Sequence, residues 1–434
     1  MSFKKPNILM IICHDLGQML HCYGNRYIKS PNIDSIAEKG VVFLNHFCAS
    51  TPCSPSRGCI ITGRYAHSNG LMGLVNRGWD LPKDQRTIPQ YLNEAGYETY
   101  LFGFQHERKD AATLGYKHIN LESWWCEKVA ANVVKFLTSK KAKEKPFFVN
   151  AGFFEVHLPF NRKEYKPASI NEVEVPAYLP DNKDVREELA RFYGTIEFMD
   201  KAVGKILRAL KKSNLEDNTI VIFTTDHGMA FPRAKSTMYD SGIKTSFIIK
   251  WPGVIPKGKF YNELISNIDL LPTLVEIVGG NKSSKIQGRS FLGLLIGSKY
   301  NERTEIFSEK NFHDVYDPIR AIRTDRYKYI RSFEKRTYGA MSLDIKASQA
   351  SRTLPEKFYK QRPFEELYDI KKDPNELKNL ARDVKYFKIK KELAKKLENW
   401  MRETSDPILK GKVIPPKEAN WLCSPECFKE MSKK

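Results

Sequence analysis

Short, nearly unbroken apolar runs alternate along this chain with longer stretches whose apolar positions recur at helical spacing. Residues 7–12, 146–154 and 218–225 are such runs, and residues 97–103 read the same way with Glu98 and Thr99 interrupting. Runs of this kind predict strands buried on both faces, as in a parallel sheet. Residues 41–47 predict a further strand, and residues 247–251 another that ends in the turn Pro252-Gly253. Helical patterns fall between them at 30–40, 88–95, 124–141 and 185–210. The first is opened by Ser30-Pro31 and closed by Gly40, a capped helix by its boundary residues. Buried strands alternating with amphipathic helices predict an α/β fold. Near residue 300 the pattern shifts. Residues 321–330 alternate with period two, predicting antiparallel strands, and residues 389–404 predict a closing helix. At 434 residues the chain is too long for one small core. A large domain over 1–300 and a small α+β domain over 301–434 are therefore expected.

Composition narrows the class. The chain is 41% hydrophobic, yet no stretch approaches the roughly 20 apolar residues that span a bilayer, so no membrane partner is expected. Met1-Ser2-Phe3-Lys4-Lys5-Pro6 leads straight into the first strand without a secretory leader, which makes the cytoplasm the expected location. The eight cysteines sit mostly in apolar segments with no short-range framework, as suits a reducing compartment. Cys423 and Cys427 have the spacing of half a zinc site, but no second pair stands nearby. A net charge of +20 favours polyanions, either nucleic acid or sulfated polysaccharide. The lysines of 140–145, 388–396 and the tail come with no nucleic-acid module and read as solvated surface, so no nucleic-acid partner is expected.

Candidate chemistry gathers just past the strand ends, where open α/β sheets bind ligands. His14-Asp15-Leu16-Gly17 follows the first run and Phe104-Gln105-His106-Glu107 the second. Glu155-Val156-His157 and Asp226-His227-Gly228 follow the next two. A separate segment, Cys53-Ser54-Pro55-Ser56-Arg57, runs through apolar residues to Thr62-Gly63-Arg64. It places a cysteine at the N-terminus of a short helix, where unpaired N–H groups and the dipole favour an anion. Arg57, one turn on, points back at the same spot. Such a place can hold a sulfate or phosphate against a nucleophile.

Cys53-x-Pro-Ser-Arg57 with Thr62-Gly63-Arg64 resembles the signature of type I sulfatases, formylglycine-dependent enzymes of the alkaline phosphatase superfamily. The resemblance implies an α/β fold with a mixed, mostly parallel sheet sandwiched by helices, and a smaller C-terminal domain of antiparallel sheet plus helix. It implies that a sulfatase-maturing enzyme oxidises Cys53 to Cα-formylglycine, whose hydrate is the nucleophile. The family's Asp-Asp-x-Gly corresponds to His14-Asp15-Leu16-Gly17, and its Asp-His-Gly to Asp226-His227-Gly228. His14, Asp15, Asp226, His227 and the modified Cys53 are thus the implied ligands of one divalent cation. Histidine in place of the first aspartate removes a charge and softens the site. Calcium is the first expectation, with manganese and zinc as alternatives.

The implied catalytic residues are Cys53, Arg57, His106, His157 and Lys235. Lys235 falls on the sulfate-binding lysine, and His157 on the histidine that contacts the leaving group. His106 matches the family's Gly-Lys-x-His, but Phe104 stands where the lysine is usual; Lys244 replaces a usual arginine. Residues 226–232 and 235–239 resemble heparan N-sulfatases, which implies glucosamine units of heparin or heparan fragments as substrate, with an O-sulfate as the other form. A phosphonate monoester hydrolase or phosphodiesterase of the same superfamily is the alternative reading, and a catalytically inactive sulfoglycan-binding protein a third. The Pro- and Asn-containing stretch 168–184 predicts a surface loop over the site. Nothing in the chain signals an oligomeric state.

Overall fold

The computed structural model describes residues 5–337, 341–417 and 419, so Cys423 and Cys427 lie outside the described residues. Its first part holds strands β1 (Asn7–Cys13), β2 (Val41–Phe43), β3 (His46–Phe47), β4 (Glu98–Gly103), β5 (His118–Asn120), β6 (Phe147–Gly152), β7 (Thr219–Thr225), β8 (Phe247–Lys250), β9 (Lys259–Tyr261) and β10 (Ile265–Ser266). Eight of them form one sheet in the order β5-β4-β6-β1-β7-β8-β2-β9. The run from β5 to β7 is parallel; β8 runs antiparallel to both β7 and β2. The sheet is mixed and mostly parallel.

β1 lies at the centre, with Ile8 in register between Phe148 and Ile220. Its side chains explain the unbroken apolar run. Leu9, Ile11 and Cys13 enter the core shared with helices Cys126–Leu137 and Lys183–Lys212. Ile8, Met10 and Ile12 enter the opposite core, with helices Cys53–Thr62, Ile88–Glu94 and Leu270–Ile277. A strand whose alternate side chains both meet helices cannot carry a polar face.

Two local expectations are corrected. Residues 41–47 form two strands, because the chain turns at Leu44-Asn45: β2 stays in the main sheet while β3 pairs with β10. Ser30 precedes helix Pro31–Glu38 but makes no cap; its hydroxyl bonds the Asp34 carboxylate at 3.1 Å. The stretch after β6 is irregular, as its prolines predict, yet Val173, Tyr178 and Leu179 anchor it in the core.

The second sheet is antiparallel: β11 (Glu305–Phe312), β12 (Tyr316–Thr324), β13 (Tyr327–Ser332) and β14 (Glu365–Asp369). On one face Ile322, Tyr329 and Leu367 pack against Leu393, Leu397, Trp400 and Met401 of helix Phe387–Glu403. On the other, Ala321, Ile330 and Tyr368 meet Phe47, Met238, Tyr239 and Ile243. The small sheet therefore lies against the loop that carries Lys235. No helix among the described residues is long and apolar enough to cross a membrane.

Candidate active site

Because β4, β6, β1 and β7 are adjacent and parallel, their carboxyl ends open on the same edge. The segments after them bring Phe104 and His106, His157, His14 and Asp15, and Asp226 and His227 to one place. Asp15 adopts the left-handed region (φ 48°), uncommon for a side-chain-bearing residue although Asp tolerates it better than most. That turn aims its N–H at Asp226 Oδ1, 3.0 Å away. After β7 the chain presses onto helix Asp240–Ile243; any Cβ at residue 228 would run into the Ser241 carbonyl oxygen, so only glycine fits.

Helix Cys53–Thr62 is buried at every position and ends at Gly63 in the left-handed region (φ 64°). Cys53 Sγ stands 3.1 Å from His227 Nε2 and 3.9 Å from Asp15 Oδ1. Arg57 donates from Nε to Asp226 Oδ2 at 3.1 Å and from Nη2 to the Cys13 carbonyl at 3.1 Å. Ser56 Oγ donates to the Asp226 carbonyl at 2.5 Å. The helix thus clamps the ends of β1 and β7 together.

His14, Asp15, Cys53 and Asp226 each bring one ligand atom into a group lying within 4.8 Å of one another, all buried. His14 Nδ1 is 2.9 Å from Asp226 Oδ2, yet neither of its buried ring nitrogens makes a hydrogen bond. His227 Nε2 lies 3.2 Å from Asp15 Oδ1 and 3.9 Å from Asp226 Oδ1. Two carboxylates beside imidazoles, one with an orphaned buried nitrogen, are a donor set that fits a divalent cation. Burial raises both carboxyl pKa values, but nearby positive groups outweigh it: Lys235 first for Asp15, His14, His227 and Arg57 for Asp226. Both stay ionised. Burial pushes the Cys53 thiol well above its ordinary pKa, so the unmodified residue is a poor nucleophile here.

Lys235 Nζ lies 2.6 Å from Asp15 Oδ2, 2.6 Å from Asp344 Oδ2 and 3.1 Å from His157 Nε2. Burial would lower its pKa; the two carboxylates win, and it remains charged. His157 has Nδ1 2.6 Å from the Leu158 carbonyl oxygen and is stacked on Phe154 at 4.9 Å. Burial and the neighbouring Lys235 push its pKa down to about 4. His106 has a buried Nδ1 with no hydrogen-bond partner, and burial holds its pKa well below 6.5. Phe104 takes the lysine position with its ring 4.5 Å from His14, edge-on, 5.4 Å from His106 and 5.2 Å from the Arg57 guanidinium carbon. A lysine here would place a second cation beside Arg57; the phenyl ring instead packs between the guanidinium and the imidazoles.

The profile of the sulfatase family matches residues 6–280, spanning every residue of this cluster except Asp344. The chain belongs to the sulfatase family. It is a sulfuric ester hydrolase of the alkaline phosphatase superfamily. A second profile, the C-terminal part of N-sulphoglucosamine sulphohydrolase, matches residues 227–349. This sulfatase is 29% identical to an ulvan-active sulfatase of Formosa agariphila, over 95% of its own chain and 83% of the other. It is 26% identical to the human N-sulphoglucosamine sulphohydrolase, over 98% and 92%. The same fold occurs in a protein solved in complex with its substrate D-glucosamine-2-N,6-O-disulfate: TM-score 0.75, 21% identity, 94% and 100% covered.

Every site residue expected from the motifs of this sulfatase stands in or beside one cluster. Asp344 was not expected. It sits on the short helix Leu343–Lys346, in a segment with no motif of its own. Sequence could flag it only through the second profile's reach to residue 349.

Proposed function

We propose that this sulfatase removes sulfate from glucosamine units of heparin or heparan fragments, and acts on the N-sulfate. The reading rests on the position of Cys53, whose Sγ at the buried helix start is 3.1 Å from His227 Nε2 and beside Asp15. The N-sulphoglucosamine sulphohydrolase profile over residues 227–349 and the human relative support the substrate. The matching family and these relatives leave the phosphodiester alternative without support.

In this reading a sulfatase-maturing enzyme converts Cys53 to Cα-formylglycine, and one hydroxyl of its hydrate attacks sulfur in line with the leaving group. His14, Asp15, Asp226 and His227 hold a divalent cation, for which calcium, manganese and zinc are the candidates. When bound, the cation is a Lewis acid that polarises the sulfate and favours deprotonation of the attacking hydroxyl. Arg57 and Lys235 offset charge on the non-bridging oxygens. The negative charge of the substrate favours the protonated form of His157, which then delivers a proton from Nε2 to the departing nitrogen. His106, neutral through burial, is assigned the proton of the second hydroxyl, whose loss expels sulfate.

The test is sulfate release from N-sulfoglucosamine and from glucosamine 6-sulfate, using protein co-expressed with a maturing enzyme and Cys53→Ala as control. Release lost in the variant is expected, with an aldehyde at residue 53 by mass spectrometry. Active protein carrying only a thiol there would overturn the mechanism.

A further inference from the structure

A pocket that receives sulfate has an electrostatic reason to carry Arg57 and Lys235, and none to carry an extra carboxylate. Asp344 is that extra carboxylate. Its Oδ2 is 2.6 Å from Lys235 Nζ and 3.7 Å from His157 Nε2, the atom assigned to protonate the leaving group. Its Oδ1 accepts from the Ile345 N–H at 2.9 Å. The side chain is 22% exposed and keeps lone pairs to spare.

Asp344 is held there from both parts of the molecule. The Leu343 N–H donates to Asp314 Oδ2 at 2.8 Å, and Asp314 is gripped by Arg77 Nη2 at 3.0 Å. Further along, the N–H groups of Gln349 and Ala350 donate to Glu188 on helix Lys183–Lys212, at 3.1 and 2.7 Å. Ile345 is buried in the core of the main sheet. A carboxylate docked so firmly, next to the leaving-group acid, has a stated position relative to whatever departs.

The geometry points to Asp344 as the residue that selects an amine leaving group, a specificity role that rests on the sulfatase reading above. Hydrolysis of a sulfamate, R–NH–SO3⁻ + H2O, gives R–NH3⁺ + SO4²⁻. The S–N bond breaks, nitrogen keeps the electron pair, one proton comes from His157 and a second from solvent. Hydrolysis of an ester, R–O–SO3⁻ + H2O, gives R–OH + SO4²⁻ + H⁺, and the organic product is neutral. Only the first creates a cation beside His157. Asp344 accepts a hydrogen bond between opposite charges from that forming ammonium, and one from a neutral donor when the product is a hydroxyl.

Wild type, Asp344→Asn and Asp344→Glu are compared by kcat/KM on N-sulfoglucosamine, glucosamine 6-sulfate and nitrophenyl sulfate. Binding of the products glucosamine and N-acetylglucosamine is measured by calorimetry. The N-sulfate to O-sulfate ratio of kcat/KM should fall about tenfold or more in Asp344→Asn, the worth of one charge-assisted bond, with partial recovery in Asp344→Glu. Wild type should prefer glucosamine over N-acetylglucosamine, and Asp344→Asn should lose that preference. An equal loss on all three sulfates would overturn the inference, because it would mean that Asp344 only holds Lys235. So would a wild type that binds both amino sugars alike. Sulfate release from any of the three substrates, abolished in Cys53→Ala, is the separate check on the proposed function. If that release is absent, both fall; if it is present with a flat ratio, only the role of Asp344 falls.

Discussion

Arg57 Nε and Asp226 Oδ2 lie 3.1 Å apart, both side chains excluded from solvent, joining the cysteine-bearing helix to the end of β7. Asp226 is in turn 2.9 Å from His14 Nδ1, so one carboxylate serves the guanidinium, the imidazole and the Asp15 N–H together. Removing one partner of a buried pair strands the other's charge. Arg57→Ala is expected to cost about 3–5 kcal/mol in urea unfolding as well as activity. A variant that unfolds like the parent would show that water replaces the guanidinium.

Asp226 also sets the expectation for the cation. An ion bound only by the folded protein at a hundred times its Kd adds about 2.7 kcal/mol of stability. Calcium or manganese should raise Tm of the wild type, a chelator should reverse the gain, and Asp226→Asn should show neither. A gain that survives in Asp226→Asn would place the ion elsewhere.

His157 should reveal itself through the leaving group. An acid matters most when the departing group is basic, so His157→Gln should lose roughly 10²–10⁴-fold in kcat on a sugar sulfate. The loss on nitrophenyl sulfate, whose phenolate leaves readily, should be much smaller. Equal losses would recast His157 as a binding residue, held by its Leu158 bond and its stack on Phe154.

His46 governs part of the acid limb of stability. It lies flat on Phe247 at 4.2 Å, and its Nδ1 is 2.6 Å from Thr245 Oγ1. Burial pushes its pKa from 6.5 down to about 3. Between those values the unfolded chain binds a proton that the folded chain does not, so stability falls as pH drops through this window and returns as it rises. The full penalty is roughly 5 kcal/mol. His46→Gln should flatten the difference between urea midpoints at pH 7 and pH 4; identical pH slopes would remove His46 from the account.

The strands of the main sheet were legible because a strand covered by helices on both faces has no polar positions, and that pattern is local. Cys53, Arg57, His106, His157, Asp226 and His227 were legible for a related reason: each stands just beyond a buried run or at a helix start, where chemistry belongs. Residues 41–47 misread as one strand because both halves are apolar, and only pairing partners distant in sequence, Ile248 for β2 and Ile265 for β3, divide them. Phe104 was visible as a departure from the motif, but its packing between His14 and Arg57 was not.

The chain by itself determined which segments become buried strands, which residues end them, and the place of Cys53 at a helix start, since all of these follow from periodicity and neighbours. Tertiary structure decided the rest: that Asp226 answers Arg57, 169 residues away, and that Asp344, in the connection between β13 and β14, reaches Lys235, 109 residues away. Contacts at that separation depend on how sheets stack and where loops dock. An aspartate on a short helix without a motif carries no local mark of the lysine it will meet.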